Sequence, residues 1–151
     1  MTAGWRPLVA ALLLAFQAAC VGSHGDVAGD AAETEVAALI NLAREDAGLA
    51  PLTYDSALET AAARHAADLV LSNRLSHSGS DGSSVGDRIA REGLVWCRVA
   101  ENVAQGQQSA GQVVSDWLVS PGHRRNILGG FSRIGTARDG DTWVAVFMER
   151  C

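Results

Sequence analysis

Near its C-terminus this 151-residue chain carries six consecutive apolar residues, Trp143–Met148. Side chains alternate between the two faces of a strand, so this segment would present apolar groups on both faces of a sheet. A strand of this kind has to be covered on both sides. We therefore expect an α/β protein in which helices flank a small, mostly antiparallel sheet, a three-layer α-β-α sandwich.

Turn residues predict how that strand is connected. Asp139-Gly140 is a strong signal for a two-residue hairpin turn between strands over residues 133–138 and 141–149. A further segment compatible with a strand is Leu94–Val99, which leads into Ala100-Glu101-Asn102-Val103.

Apolar residues that recur every three or four positions predict the helices. The first would begin at Glu33 and end at Gly48. The second carries His65 on its apolar stripe, where a hydrogen-bonded core histidine is expected more often than a ligand. The residues expected to cap the second, third and fourth helices are Asp55, Ser84 (in a capping box with Asp87) and Ser109.

The first twenty residues have the charged, apolar and small-residue order of a secretory signal peptide. Arg6 precedes the apolar run Leu8–Phe16, which is too short to span a bilayer. We therefore divide the chain into a signal peptide over residues 1–19, a flexible linker over 20–33 and a folded domain over 34–151. Secretion or a periplasmic location follows from this division.

Cys20 leaves a second possibility for the end of the signal peptide. Ala-Ala-Cys resembles a bacterial lipoprotein cleavage site, at which Cys20 would become the lipidated first residue. Gln17 stands where such sites usually carry leucine, which favours plain export over lipid anchoring. Only a lipidated Cys20 would bring the protein to a membrane.

Cys97 and Cys151 form an even pair in an exported chain, where the environment is oxidising. We predict a Cys97–Cys151 disulfide, and the alternative is a pair of buried free thiols.

Composition excludes several classes of function. All 12 basic residues are arginine and the net charge is -5, which gives a nucleic acid little to bind. There is no glycine-rich phosphate loop and no Cys-x-x-Cys pair, so nucleotide-binding, zinc-finger and thioredoxin-like proteins are also excluded.

Several short motifs, in their order along the chain, resemble one known family. The strongest are Trp-x-x-Ser-Pro-Gly-His-Arg and Glu-Asn. The complete set is Asn41–Arg44, Gly48–Leu52, Ala62–Asp68, Ser76–Gly79, Ala100–Ala104, Trp117–Arg124 and Ile134–Gly135. Together they resemble the CAP superfamily, or SCP domains, which includes cysteine-rich secretory, antigen-five and pathogenesis-related-one proteins. The resemblance implies an α-β-α sandwich, an extracellular location and a single-domain protein of the bacterial type.

The resemblance also implies a central cleft in which histidines and acidic residues can bind a divalent metal such as zinc. Matching by motif places the histidines at His77 and His123 and the carboxylate at Glu101. Animal members have a second glutamate where this chain has Ser120, so the set of four is incomplete. Ala100 replaces the glycine that usually precedes Glu-Asn.

The residues themselves leave two interpretations of this cleft open. Two imidazoles and one carboxylate could form a three-ligand metal site with water in the fourth position. Alternatively, His77, Glu101 and His123 hydrogen-bond one another or the backbone. No catalytic residue is assigned, and Glu101 is the candidate.

Two hypotheses for function follow. The first is an exported binding or interaction module for a small-molecule, lipid, cell-wall or protein ligand. The second is a metal-assisted extracellular hydrolase, acting on peptides or other polymers through the same cleft. Ser120, in place of an acid, favours binding. Whether the chain is an enzyme stays open at this point.

Overall fold

The computed structural model describes Met1 and residues 27–151, with side chains from residue 34 onward. The predicted signal peptide after Met1, and Cys20 with it, lies outside the described residues. The elements, in chain order, are α1 (Val27–Asp46), β1 (Thr53–Tyr54), α2 (Ser56–Ser72), α3 (Val85–Arg91), β2 (Arg98–Gln105), α4 (Ala110–Val119), α5 (Pro121–Ile127), β3 (Arg133–Asp139) and β4 (Thr142–Glu149).

The strands form one four-stranded sheet in the order β1-β3-β4-β2. β4 is paired antiparallel with both β2 and β3, and the short strand β1 is parallel to β3. The prediction of a mostly antiparallel sheet is therefore confirmed. β1 itself has only two residues, which is too short for an alternating pattern to appear in the sequence.

The central strand β4 separates two hydrophobic cores, as its two apolar faces require. Trp143, Ala145 and Phe147 pack with α1, α4 and α5 on one face of the sheet. Val144, Val146 and Met148 pack with α2 and α3 on the other face. The three-layer α-β-α sandwich predicted from this strand is confirmed.

The predicted helix caps are confirmed as well. The Asp55 side chain accepts hydrogen bonds from the backbone at the start of α2, and the Ser109 side chain does so for α4. Ser84 and Asp87 form a reciprocal capping box at α3. This box fixes the start of the short helix that carries Arg88.

Three predicted boundaries differ from the structure. α1 begins at Val27 rather than at Glu33, so part of the expected linker is helical. This stretch contains three alanines, which have the highest helix propensity. Strand β2 begins at Arg98 and reaches Gln105, whereas Leu94–Val99 was expected. The hairpin turn lies one residue later than predicted, at positions 140 and 141. Gly140, with a φ of 57°, occupies the first turn position, as in a type II′ hairpin.

A disulfide joins Cys97 to Cys151, as predicted, with 4.8 Å between the two Cα atoms. It closes a loop of 54 residues and fixes the last residue of the chain beside the start of β2. Within residues 27–151, no helix has the length and apolar character needed to cross a membrane.

Candidate functional site

Two neighbouring residues of β2 point their side chains to opposite layers of the sandwich. Glu101 shares a face with Val103, toward α2 and α3, because residues two apart lie on the same side of a strand. Asn102 faces the layer of α4 and α5. The Glu-Asn motif thereby connects both helical layers to one position in the sheet.

Glu101 is buried and both of its carboxylate oxygens have partners. Its side chain is only 2% exposed. Oε2 accepts a hydrogen bond of 2.6 Å from the Arg88 guanidinium, and Oε1 lies 2.9 Å from His77 Nδ1. His65 Nε2 is also 3.6 Å from Oε1. We call Glu101, Arg88, His77 and His65 the Glu101 network.

Arg88 ties this network to the loop between α2 and α3. Its guanidinium donates to the carbonyl of Ser83 at 2.9 Å and to that of His77 at 3.2 Å, in addition to its bond with Glu101. The side chain is 7% exposed. A single buried cation thus fixes both the Glu101 carboxylate and the backbone that carries the His77 ring.

His77 is the exposed member of the network, with 58% of its side chain accessible. The hydrogen bond with Glu101 raises the pKa of His77 above its usual value. Because the carboxylate accepts, Nδ1 donates and holds the ring proton in the neutral form. In the neutral ring Nε2, which is not bonded to Glu101, is then the hydrogen-bond acceptor.

His65 is the buried histidine that the sequence predicts, and it is only partly satisfied. Its Nε2 donates to the carbonyl of Ser76 at 3.0 Å, while its Nδ1 is buried without a partner in the described part of the chain. Burial lowers the pKa of His65 more than the neighbouring Glu101 raises it. The ring is therefore held neutral between α2 and the cleft.

His123 belongs to α5 and is held against β2 through its backbone. Its carbonyl accepts a hydrogen bond of 3.2 Å from the Asn102 amide. The Asn126 amide donates to Asn102 Oδ1 at 2.8 Å and to the carbonyl of Glu101 at 3.2 Å. Burial lowers the pKa of His123, and the charge of nearby His77 lowers it further.

The open side of the network is a cleft of about 440 Å³. Both hydrogen-bonding side chains and small apolar residues line it. The lining residues are His77, Ser78, Ser84, Val85, Val99, Ala100, Glu101 and Asn126. His123 is not among them, so the cleft walls contain two of the three predicted site residues.

The hydrogen bonds that Glu101 already makes argue against it as a direct metal ligand. A cation at its carboxylate would compete with the Arg88 guanidinium at 2.6 Å and with His77 Nδ1 at 2.9 Å. Between residues 27 and 151, no group of three or more His, Cys, Asp or Glu side chains is placed to hold a metal ion. A site built from His77, His123 and Glu101 stays a prediction.

Sequence reasoning did not identify Arg88 as part of the site. The spacing of Arg88 could have indicated that it is buried. Arg88 follows Val85 by three residues and precedes Ile89 by one, which places it on the apolar face of α3. A charged residue on such a face needs a buried partner. The partner, Glu101, is 13 residues away in the sequence and belongs to a different element.

A family model described as CAP, cysteine-rich secretory protein family, matches residues 37–147. The uncharacterised protein YkwD of Bacillus subtilis is 33% identical over 121 residues, which cover 78% of this chain and 47% of that protein. The uncharacterised membrane protein YlbC of the same organism is 28% identical, covering 78% of this chain and 34% of that protein. The chain thus spans less than half the length of these curated relatives.

Solved structures show the same fold. An extracellular protein containing an SCP domain from Bacillus anthracis superimposes with a TM-score of 0.79 at 24% identity, over 81% of this chain and 41% of that one. An outer surface protein from Borrelia burgdorferi gives a TM-score of 0.71 at 25% identity, over 78% of this chain and 92% of that one. With the motifs, the sandwich and the family match in agreement, the chain belongs to the CAP, or cysteine-rich secretory protein, family.

Proposed function

We propose that this chain is exported and acts as a binding or interaction module, which recognises a polar ligand through the cleft around His77. The observation that carries the proposal is the state of Glu101, whose two oxygens are bonded to Arg88 and His77 inside the protein. A carboxylate held in this way orients its neighbours and is not free to act on a substrate.

The groups that remain available to a ligand support binding over hydrolysis. His77 offers Nε2, Ser78 and Ser84 offer hydroxyl groups, and Asn126 borders the same cleft. A general base must reach the proton that it removes, directly or through one water. Glu101, the candidate base, is 2% exposed and already has two partners, so it meets this requirement poorly.

The competing hydrolase hypothesis is tested on the full chain with substituted carboxylates. Peptidase and other hydrolase activities are measured with and without added zinc for the wild type, Glu101→Gln and Glu35→Gln. Glu35 is an exposed residue of α1 and serves as the matched control. We expect no turnover in any sample. Turnover by the wild type and Glu35→Gln that is lost in Glu101→Gln would contradict the proposal.

Binding itself is tested with insoluble peptidoglycan, a polar polymer that sediments with any bound protein. We expect wild type and Glu35→Gln to co-sediment and His77→Ala to remain in the supernatant. Equal sedimentation of wild type and His77→Ala would remove the cleft from the proposal.

Zinc binding is measured separately by titration calorimetry, because His77 and His123 are the histidines that the motifs match to a metal site. With Glu101 committed to Arg88, we expect no heat above that of the His77→Ala, His123→Ala double variant. Saturable heat in the wild type alone would favour the metal-dependent alternative.

Export is supported by the signal-like first twenty residues and by the extracellular and outer-surface proteins that share the fold. The mass of the mature N-terminus distinguishes plain cleavage from lipidation at Cys20. We expect an unmodified N-terminus and recovery in the aqueous phase of a detergent partition. A protein that retains residues 1–19 after expression in a secreting host would contradict export.

A further inference from the structure

A second cavity lies behind the Glu101 network, between α2 and the segment formed by residues 80–83 and α3. Its volume is about 230 Å³. Ala61, Arg64 and His65 line it from α2, and Arg88 and Arg91 line it from α3. We call this space the α2–α3 cavity. It is separate from the cleft around His77, whose lining does not include these residues.

The walls of the α2–α3 cavity carry no net charge. Three guanidinium groups and three carboxylates line it, and His65 is held neutral by burial, which lowers its pKa. The two exposed arginines are already paired, with Arg64 2.7 Å from Glu92 and Arg91 2.7 Å from Asp81. A charged ligand would lose its hydration without gaining a net counter-charge from these walls, whereas a neutral ligand needs no counter-charge.

Paired charges still offer hydrogen bonds to a neutral ligand. A carboxylate has about four lone-pair sites and a guanidinium has five N–H donors, so one ion pair leaves most of this capacity unused. Asp68, a further lining residue, bonds to the backbone and hydroxyl of Ser80 and keeps acceptor capacity in the same way. A ligand rich in hydroxyl groups, each able to donate and to accept, matches such walls.

His65 supplies a more specific requirement. Its Nε2 donates to the carbonyl of Ser76, so the neutral ring carries its proton on Nε2 and a lone pair on Nδ1. That Nδ1 is buried, and no partner for it is found in the described part of the chain. A buried acceptor without a partner is unfavourable, and a donor from a bound molecule would satisfy it. A ligand that carries a hydrogen-bond donor, such as a hydroxyl group, would complement His65.

We propose that the α2–α3 cavity is a binding site for a neutral, hydroxyl-rich small molecule of about the size of one sugar ring. A volume of 230 Å³ equals that of roughly seven or eight liquid waters at about 30 Å³ each. The hydroxyl groups bond to the paired carboxylates and arginines of the wall, and one of them donates to His65 Nδ1. This site does not depend on the function proposed for the cleft.

Two residues connect this cavity to the cleft. His65 and Arg88 both line the cavity, and both also contact the Glu101 carboxylate. A ligand that contacts His65 and Arg88 therefore also changes the surroundings of the Glu101 carboxylate, to which His77 is bonded. Binding in the cavity therefore alters the His77 signals as well as those of the cavity walls.

The experiment is a titration of the isotopically labelled full chain with glucose, followed by amide and imidazole NMR. Glucuronate, which keeps the sugar ring and carries a carboxylate in place of one hydroxymethyl group, is the chemical control. Ala61→Leu fills the cavity from its wall, and His65→Phe removes the acceptor while it keeps a ring. Ala63→Leu, at an exposed position of the same helix, is the matched control.

We expect saturable glucose shifts in residues 61–68 and 80–83 and in the His77 ring, with glucuronate binding at least about tenfold weaker. The shifts persist in Ala63→Leu and disappear in Ala61→Leu and His65→Phe. The wild-type titration decides the matter even if one variant does not fold. The absence of saturable shifts with glucose, or equally strong binding of glucuronate, would overturn the proposal, as would unchanged binding by a folded Ala61→Leu.

Discussion

Replacing Arg88 with methionine removes the cation from the Glu101 network and keeps an unbranched apolar stem of similar length. In the wild type the guanidinium lies 2.6 Å from Glu101 Oε2, and the two side chains are 7% and 2% exposed. Removing one partner of a buried ion pair costs about 3–5 kcal/mol, because the remaining charge loses its buried counter-charge. Glu101 would keep only its hydrogen bond with the exposed His77. We expect a loss of this size in the free energy of unfolding, a large part of the roughly 5–15 kcal/mol typical of a domain.

The control is Arg91→Met, on the same short helix. Arg91 lies 2.7 Å from Asp81, nearly the same separation, but the two side chains are 55% and 51% exposed. Comparing the two variants therefore separates the effect of burial from that of bond length. Urea unfolding at neutral pH, followed by circular dichroism, measures both, and we expect a much smaller loss for Arg91→Met.

A double variant tests whether the loss comes from the stranded carboxylate. In Arg88→Met combined with Glu101→Gln, no buried charge is left without a partner. The double variant should therefore lose less stability than the sum of the two single variants. An Arg88→Met protein no less stable than Arg91→Met, or strictly additive losses in the double variant, would refute the reasoning.

Three further changes have defined outcomes. Because the Glu101 hydrogen bond raises the pKa of His77, its stabilisation is present below the unfolded pKa near 6.5 and is lost as pH rises through the folded pKa. His77→Ala should thus lower the free energy of unfolding more at pH about 5 than at about 8. The loss should stay under about 1 kcal/mol because the ring is exposed. A loss of the same size at both pH values would contradict this. Reducing the Cys97–Cys151 disulfide should cost about 4 kcal/mol in the chain-entropy model for a 54-residue loop, measured by unfolding with and without reductant; an unchanged midpoint would contradict it. Gly135→Ala should cost about 1–3 kcal/mol in the same assay, because a Cβ at this position of β3 would meet the backbone of α2, and wild-type stability would show that the contact relaxes freely.

The layers of the fold could be predicted because their signals are local in the sequence. Six residues of β4 show in themselves that both faces of the strand are buried. The Asp55 cap acts on residues two and three positions along the chain, and the Ser84–Asp87 box spans three. The disulfide followed from the count of cysteines in an exported chain rather than from geometry.

The site was predictable only in part, because its contacts join distant residues. His77 and Glu101 are 24 residues apart, and their motifs identified them without indicating that they bond to each other. Arg88 belongs to no motif, and its place on the apolar face of α3 indicates burial without identifying the partner. Its role depends on the packing of α3 against β2, which a single sequence does not display.

The central claim, that Glu101 holds His77 and leaves Nε2 for a ligand, is tested most directly by the imidazole nitrogen chemical shifts of His77. At a pH above the pKa of the ring, the claim predicts a protonated Nδ1 and an unprotonated Nε2 in the wild type. In Glu101→Gln this preference should weaken, while Glu35→Gln should leave it unchanged. A wild-type ring that carries its proton on Nε2 would contradict the account.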